Sequence, residues 1–141
     1  MGWSDYTKRL FSVCLICFVA TAVIACGKQQ DTMEKIKDLE YTIIAEDNIP
    51  EELLSAIEQK KEGTFKMTFE DRGFLYVCIG YGVQQTGGYS IAVKEAYETS
   101  NAVYVDTDLI GPEPEEKSSP VASYPYIVIK LEFVDKPVVF E

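Results

Sequence analysis

Apolar and polar residues alternate along most of the chain beyond residue 40. Phe65, Met67 and Phe69 are interleaved with Thr64, Lys66 and Thr68, and Tyr89, Ile91 and Val93 with Ser90, Ala92 and Lys94. Val103, Val105, Thr107 and Leu109 oppose Tyr104, Asp106 and Asp108, while Ile127, Ile129, Leu131 and Phe133 share a face. A period of two is the mark of a half-buried strand. Tyr41, Ile43 and Ala45 begin a first strand by the same spacing, and Val138–Phe140 make a short last one. Phe74–Gly80 departs from alternation, being apolar at nearly every position. One stretch has helical spacing instead, with Ile49, Leu53, Leu54 and Ile57 on a single stripe. Asn48-Ile49-Pro50-Glu51 has the form of a capping box. Glu51 and Glu52 suit the first turn, Lys60 and Lys61 the last, and Gly63 is placed to end the helix. The pattern predicts an α+β domain: a mainly antiparallel sheet of about seven strands with one short amphipathic helix packed on it.

Most connections are short turns, at Asp71-Arg72-Gly73, Thr99-Ser100-Asn101 and Asp135-Lys136-Pro137. Two are longer. Gly82–Gly88 carries three glycines and Thr86, and Gly111–Ser123 carries three prolines, Glu113, Glu115 and Glu116. Both exceed what economical strand pairing requires. Each leads into tyrosines, Tyr89 after the first and Tyr124 and Tyr126 after the second. Pro125 cannot donate to a ladder and belongs at a strand start or an edge. If the strands after these loops lie in one sheet with their starts at one end, both loops share a rim. Tyrosine beside glycine and serine is the composition of contact surfaces. The candidate binding residues are therefore Gln85, Thr86, Gly87, Gly88, Tyr89, Tyr124 and Tyr126. The competing reading is that Thr-Gly-Gly is ordinary turn chemistry and the tyrosines only seal the core.

The first 25 residues have a different character. Lys8 and Arg9 precede an uncharged run, Leu10–Ala25, that ends in Val23-Ile24-Ala25-Cys26. A basic start, a short apolar run and small residues before a cut describe a secretory signal peptide. Cysteine at the cut, followed by Gly27, resembles a bacterial lipobox, which implies cleavage before Cys26 and a diacylglycerol on its thiol. The expected organisation is residues 1–25 as a lipoprotein signal peptide, 26–40 as a polar flexible tether, and 41–141 as a single globular domain held on the outer face of the cell membrane. Of four cysteines only Cys78 then remains unmodified, too few for an intrachain disulfide. Taking Lys8, Arg9 and Asp5 from the 13 basic and 23 acidic residues leaves a mature net charge of −11. Such a surface repels nucleic acid and favours solubility, so the membrane would be reached through the lipid.

Catalytic patterns are missing from the sequence. It contains no histidine, which removes Ser-His-Asp and Cys-His arrangements and any Cys/His zinc site. Gly80-Tyr81-Gly82 begins like a dinucleotide loop, but Gln85 stands where the third glycine belongs. Asp106 and Asp108 share a strand face without the spacing, glycine or closing glutamate of a calcium loop. Cys78, inside an apolar strand and without a basic partner, reads as a small core residue. No cofactor, metal site or catalytic residue is expected, and binding is favoured over catalysis.

Two blocks, Thr86-Gly87-Gly88-Tyr89-Ser90-Ile91 and Ser123-Tyr124-Pro125-Tyr126-Ile127-Val128-Ile129-Lys130, resemble the signature of the PrcB-like family. These are the C-terminal domains of lipoproteins named for stabilising a secreted protease complex, and the resemblance covers roughly Phe74 to Glu141. It implies a protein-binding domain that stabilises or assists a secreted or surface protease complex. Gln85-Thr86-Gly87-Gly88-Tyr89 also looks like the inhibitory loop of chagasin-type protease inhibitors. The Asn-Pro that opens that loop is absent, however, and Ile91 stands in place of its Trp. A small-ligand or sugar-binding module of the envelope is the remaining alternative.

Overall fold

The computed structural model describes residues 34–114 and 119–141. The predicted signal peptide, Cys26 and most of the expected tether lie outside the described residues. The elements are β1 (Lys37–Asp38), β2 (Tyr41–Ile43), α1 (Glu51–Lys60), β3 (Thr64–Asp71), β4 (Phe74–Tyr81), β5 (Ser90–Glu98), β6 (Val103–Ile110), β7 (Tyr126–Glu132) and β8 (Val138–Phe140). They form two four-stranded sheets, in the orders β2-β7-β4-β3 and β1-β5-β6-β8. All pairings are antiparallel except β6 with β8.

The continuous apolar run at β4 follows from its position. It pairs with β7 on one side and β3 on the other, and both of its faces are covered. Leu75, Val77 and Ile79 point with Ile127, Ile129 and Leu131 of β7 toward Val103 and Val105 of the second sheet. Tyr76, Cys78 and Val128 point the other way, onto Ile49, Leu53 and Ile57 of the helical segment. The described residues thus form three layers: helix, middle sheet, outer sheet. Burying Leu53 and Ile57 completely contributes roughly 1.5–3 kcal/mol each to holding α1 on the middle sheet. Across the β3–β4 pair the Phe65 ring lies over Gly80, where an added Cβ would fall 2.1 Å from the ring and force it to move.

Among the described residues, the α+β class, the predominance of antiparallel pairing and the single α-helix agree with the pattern in the sequence. The single sheet of about seven strands does not: there are eight strands in two sheets, one pair of them parallel. Alternation records that one face of a strand is buried, and it is the same whichever layer supplies the cover. The additional strand, β1, is two residues long, too short to show a period. It falls within the expected tether, where Lys37 and Asp38 pair with Glu98 and Tyr97. The capping box does not form either. Asn48 belongs to a 3-10 turn, Glu46–Asn48, and its amide donates to Asp47 Oδ1, leaving Pro50 at the N-cap position without a side-chain cap.

A bulge at Lys94 of β5 changes the inward phase from Ile91 and Val93 to Ala96, which is buried. Lys94 itself turns outward and pairs with Asp106 at 2.9 Å. The β3–β4 hairpin is closed by Arg72 (φ +50°) and Gly73 (φ +81°), both left-handed, as a two-residue turn demands. Pro125 sits just before β7, at the strand start its chemistry requires, and its carbonyl accepts the Tyr81 amide.

At the β5–β6 and β7–β8 turns, Lys136 Nζ donates to Glu98 Oε1 (2.6 Å) and to the Thr99 carbonyl (2.7 Å). The Lys136 hydrogen bond, assisted by Lys37, holds the Glu98 carboxyl below its ordinary range. A depressed carboxyl stabilises the fold above its unfolded-state pKa, and that contribution is lost as pH falls through the lower folded-state value. Lys136→Met should therefore destabilise the protein at pH 7. In urea titrations the gap from wild type should narrow progressively as pH falls below the ordinary carboxylate range and Glu98 becomes protonated.

Burial pushes the Cys78 thiol up to about 12, so it is neutral at any physiological pH. Cys78→Ala should cost on the order of 1 kcal/mol or somewhat more, as small core truncations do. In native protein, maleimide should label Cys78 far more slowly than free cysteine; labelling at the free-thiol rate would contradict its burial.

Candidate functional site

The ends of β4 and β6 and the starts of β5 and β7 lie at one end of the sandwich, a rim that holds both long loops. Their strands belong to different sheets, contrary to the one-sheet condition under which a shared rim was expected. The rim forms because β4 and β5, and likewise β6 and β7, are joined across the layers at the same end. Tyr81 helps lock this end, its hydroxyl lying 2.9 Å from the Thr107 carbonyl and 2.8 Å from Thr107 Oγ1.

The two loops are bonded to each other. Gln84 and Ser123 form an isolated antiparallel bridge, with amide-to-carbonyl distances of 2.8 and 3.0 Å. Ser123 Oγ donates to the Thr86 carbonyl at 2.7 Å, and the Gly87 amide donates to the Ser119 carbonyl at 3.0 Å. Gln84 Nε2 reaches back to the Tyr81 carbonyl, and the Val83 amide reaches the Glu62 carbonyl just past α1. Gly82 (φ +72°) lies so close to the backbone of Gly63 and Thr64 that a Cβ would approach to 3.1 Å. The rim is therefore a three-way junction of the α1–β3 turn and the two loops.

Of the seven candidate residues, five form the first loop and its exit. Gln85 is exposed, Thr86 and Gly87 are half-buried where they bond the second loop, and Tyr89 packs beside Gly111. Gly88 (φ +86°) lies over Pro112. The tyrosines after the second loop diverge from these. Tyr124 is exposed near Lys61, whose Nζ is 5.7 Å from its ring centre. Tyr126 belongs to the helix-side core, and its hydroxyl donates to Glu46 Oε2. Burial pushes that hydroxyl up to about 12, with the Glu46 carboxylate adding to the effect. Tyr126 is thus a structural brace between β7 and the 3-10 turn, and Tyr124 alone of the pair offers an open ring.

The sequence reading missed Val83 and Val121, exposed at 48% and 67% on the two loops, and Ser123, the side chain that joins them. Isolated valines inside polar loops carry no periodic signal, and a loop-to-loop hydrogen bond has none. Among the described residues, no group of three or more His, Cys, Asp and Glu side chains is arranged to hold a metal ion. No helix there is long and apolar enough to cross a membrane.

This rim lies inside a recognisable segment. The family model described as PrcB C-terminal matches residues 75–132, from the second residue of β4 to the last of β7. That segment belongs to the PrcB C-terminal family. The PrcB C-terminal match holds both rim loops and the strands that carry them. It leaves α1, the helix that covers one face of β4 and β7, outside. No curated protein and no solved structure matches the chain.

The two adjacent glycines of the first loop should respond differently to substitution. At Gly87 an added Cβ makes ordinary contact, 3.5 Å from Ser119 Cβ, so Gly87→Ala should stay within about 0.5 kcal/mol of wild type. At Gly88 the left-handed backbone alone costs about 1–2 kcal/mol for an L-residue. The new methyl would also sit 2.9 Å from Pro112 Cβ, so Gly88→Ala should be clearly destabilised in thermal or urea unfolding.

Proposed function

We propose that this chain is a membrane-tethered, extracytoplasmic lipoprotein whose PrcB C-terminal domain binds a protein partner through the rim, stabilising or assisting a secreted or surface protease complex. The observation that carries the proposal is the bonding of two long loops into one preformed edge. Its backbone is tied at Gln84, Thr86, Gly87 and Ser123, while Gln85, Val83, Val121 and Tyr124 stand open to solvent. An edge already ordered loses little conformational freedom on association, which favours its use as a contact surface. The protease-complex role draws on the family resemblance, and the lipid anchor on Val23-Ile24-Ala25-Cys26.

Gln85→Ala tests the surface, because that side chain is exposed. Melting should remain as in wild type, since surface changes shift stability by about 0.5 kcal/mol or less. If Gln85 is a recognition hot spot, truncation costs ~2 kcal/mol or more in affinity, and capture of partners from the native membrane should fall by tenfold or more. A photo-reactive residue at position 85 should cross-link a protein that one at Thr68 does not. Equal capture by wild type and Gln85→Ala, with no position-specific cross-link, would reduce the loop to a turn. The anchor is tested separately: Cys26→Ser should abolish metabolic labelling with a fatty-acid analogue, and undiminished labelling would contradict it.

A further inference from the structure

The pole opposite the rim has its own surface, and the chain enters the domain there. β1 begins opposite Glu98, the last residue of β5, and β2 begins opposite Leu131, near the end of β7. Around this entry point Ile36, Tyr41, Phe74 and Phe133 are exposed at 61, 38, 37 and 42%. They come from four places in the chain. Tyr41, Phe74 and Phe133 line one groove, with Lys130 among them. Lys130 Nζ lies 3.9 Å over the Phe74 ring and 5.7 Å from the Tyr76 ring, and among the described residues it forms no ion pair.

We propose that this entry pole rests on the lipid bilayer, inserting Phe74, Phe133 and Tyr41 at the headgroup level and turning the rim outward to the partner. The inference rests on the lipid-anchor reading above, and the length of chain between anchor and domain supports it. Cys26 precedes Glu34 by eight residues, which reach at most about 3.6 Å each, or roughly 29 Å. The strands, eight residues in β4, run about 26 Å from pole to rim. Turning the rim to the membrane would need those residues stretched along nearly the whole domain, whereas the entry pole meets the surface with slack to spare.

The chemistry of the pole also suits an interface. Aromatic rings with lysines that reach past them are the side chains that settle at the headgroup boundary. Several of the pole's cations are paired with acids: Lys35 with Asp38, Lys37 and Lys136 with Glu98, Arg72 with Asp71. Docking therefore draws on apolar insertion and tolerates salt and zwitterionic lipid. The groove also carries Asp38, Glu40 and Glu132, so anionic headgroups would weaken docking and a zwitterionic surface suits it better.

The test uses the full chain, processed and reconstituted in phosphatidylcholine vesicles with acyl chains brominated near the headgroup. Trp3 is the sole tryptophan of the sequence, so a Trp3→Phe background allows one reporter at a time. Phe133→Trp and, as a second reporter, Phe74→Trp should shift to the blue and lose emission on brominated vesicles, in low and high salt alike. Tyr124→Trp on the rim should be unaffected. Unquenched Phe133→Trp and Phe74→Trp would overturn the proposal, as would quenching confined to Tyr124→Trp. The mass of the mature chain reports lipidation of Cys26 independently. If the leader proves uncleaved, the lipid reading fails while the quenching still decides orientation, because either anchor enters at the same pole.

Discussion

The pairing of β4 with β7 is the interaction on which the rest of this domain depends. Seven residues of β4 are matched to seven of β7 in unbroken register; β4 is apolar on both faces, and β7 is too except at Lys130 and Glu132 near its end. A ladder of this kind cannot face water on either side. One face recruits Ile49 and, from α1, Leu53 and Ile57, and the other recruits Val103 and Val105 of the outer sheet. The helix and the outer sheet thus pack on the same two strands without needing each other. Removing either cover would expose half of the ladder's apolar area.

That ladder also determines where the rim lies. Because β4 ends and β7 begins at the same end, the loops that leave and enter them emerge side by side. The hydrogen bonds between Gln84 and Ser123 and between Ser123 and Thr86 then tie two segments nearly forty residues apart in sequence. The PrcB C-terminal match covers this assembly, from β4 through β7. The opposite end receives the incoming chain, which gives the domain two poles of different chemistry: aromatic at the entry, glycine- and tyrosine-rich with exposed valines at the rim.

Much of this was legible in the residues. Period-two alternation located β3, β5, β6 and β7, and the Ile49–Ile57 stripe located α1, because half-burial writes itself directly into composition. The unbroken apolar run of Phe74–Gly80 marked an interior strand. What it did not disclose was that a second sheet covered the face away from the helix. Layering is a long-range property, and each strand's pattern is indifferent to which partner supplies the apolar contact. The bulge at Lys94 escaped notice for a related reason, since one extra residue changes phase without changing residue type. Asn48 misled, because it ends a 3-10 turn two residues before Pro50, the residue that takes the N-cap position. At the rim, the glycines and tyrosines drew attention to the two loops that the structure bonds together. Tyr126 proved to be a brace and Tyr124 an open ring: Tyr126 is the first residue of β7 and bonds Glu46, whereas Tyr124 precedes the strand and stays exposed.

The central claim is that the middle ladder holds two distant loops as one preformed edge, and amide hydrogen exchange tests it most directly. In the free protein, the amides of Gln84, Gly87 and Ser123 each donate to a carbonyl on the facing loop. They should exchange far more slowly than unstructured peptide, at rates set by opening of the rim rather than by intrinsic chemistry. Exchange of all three at the unprotected rate, while β4 and β7 remain protected, would show two independent loops and contradict the account.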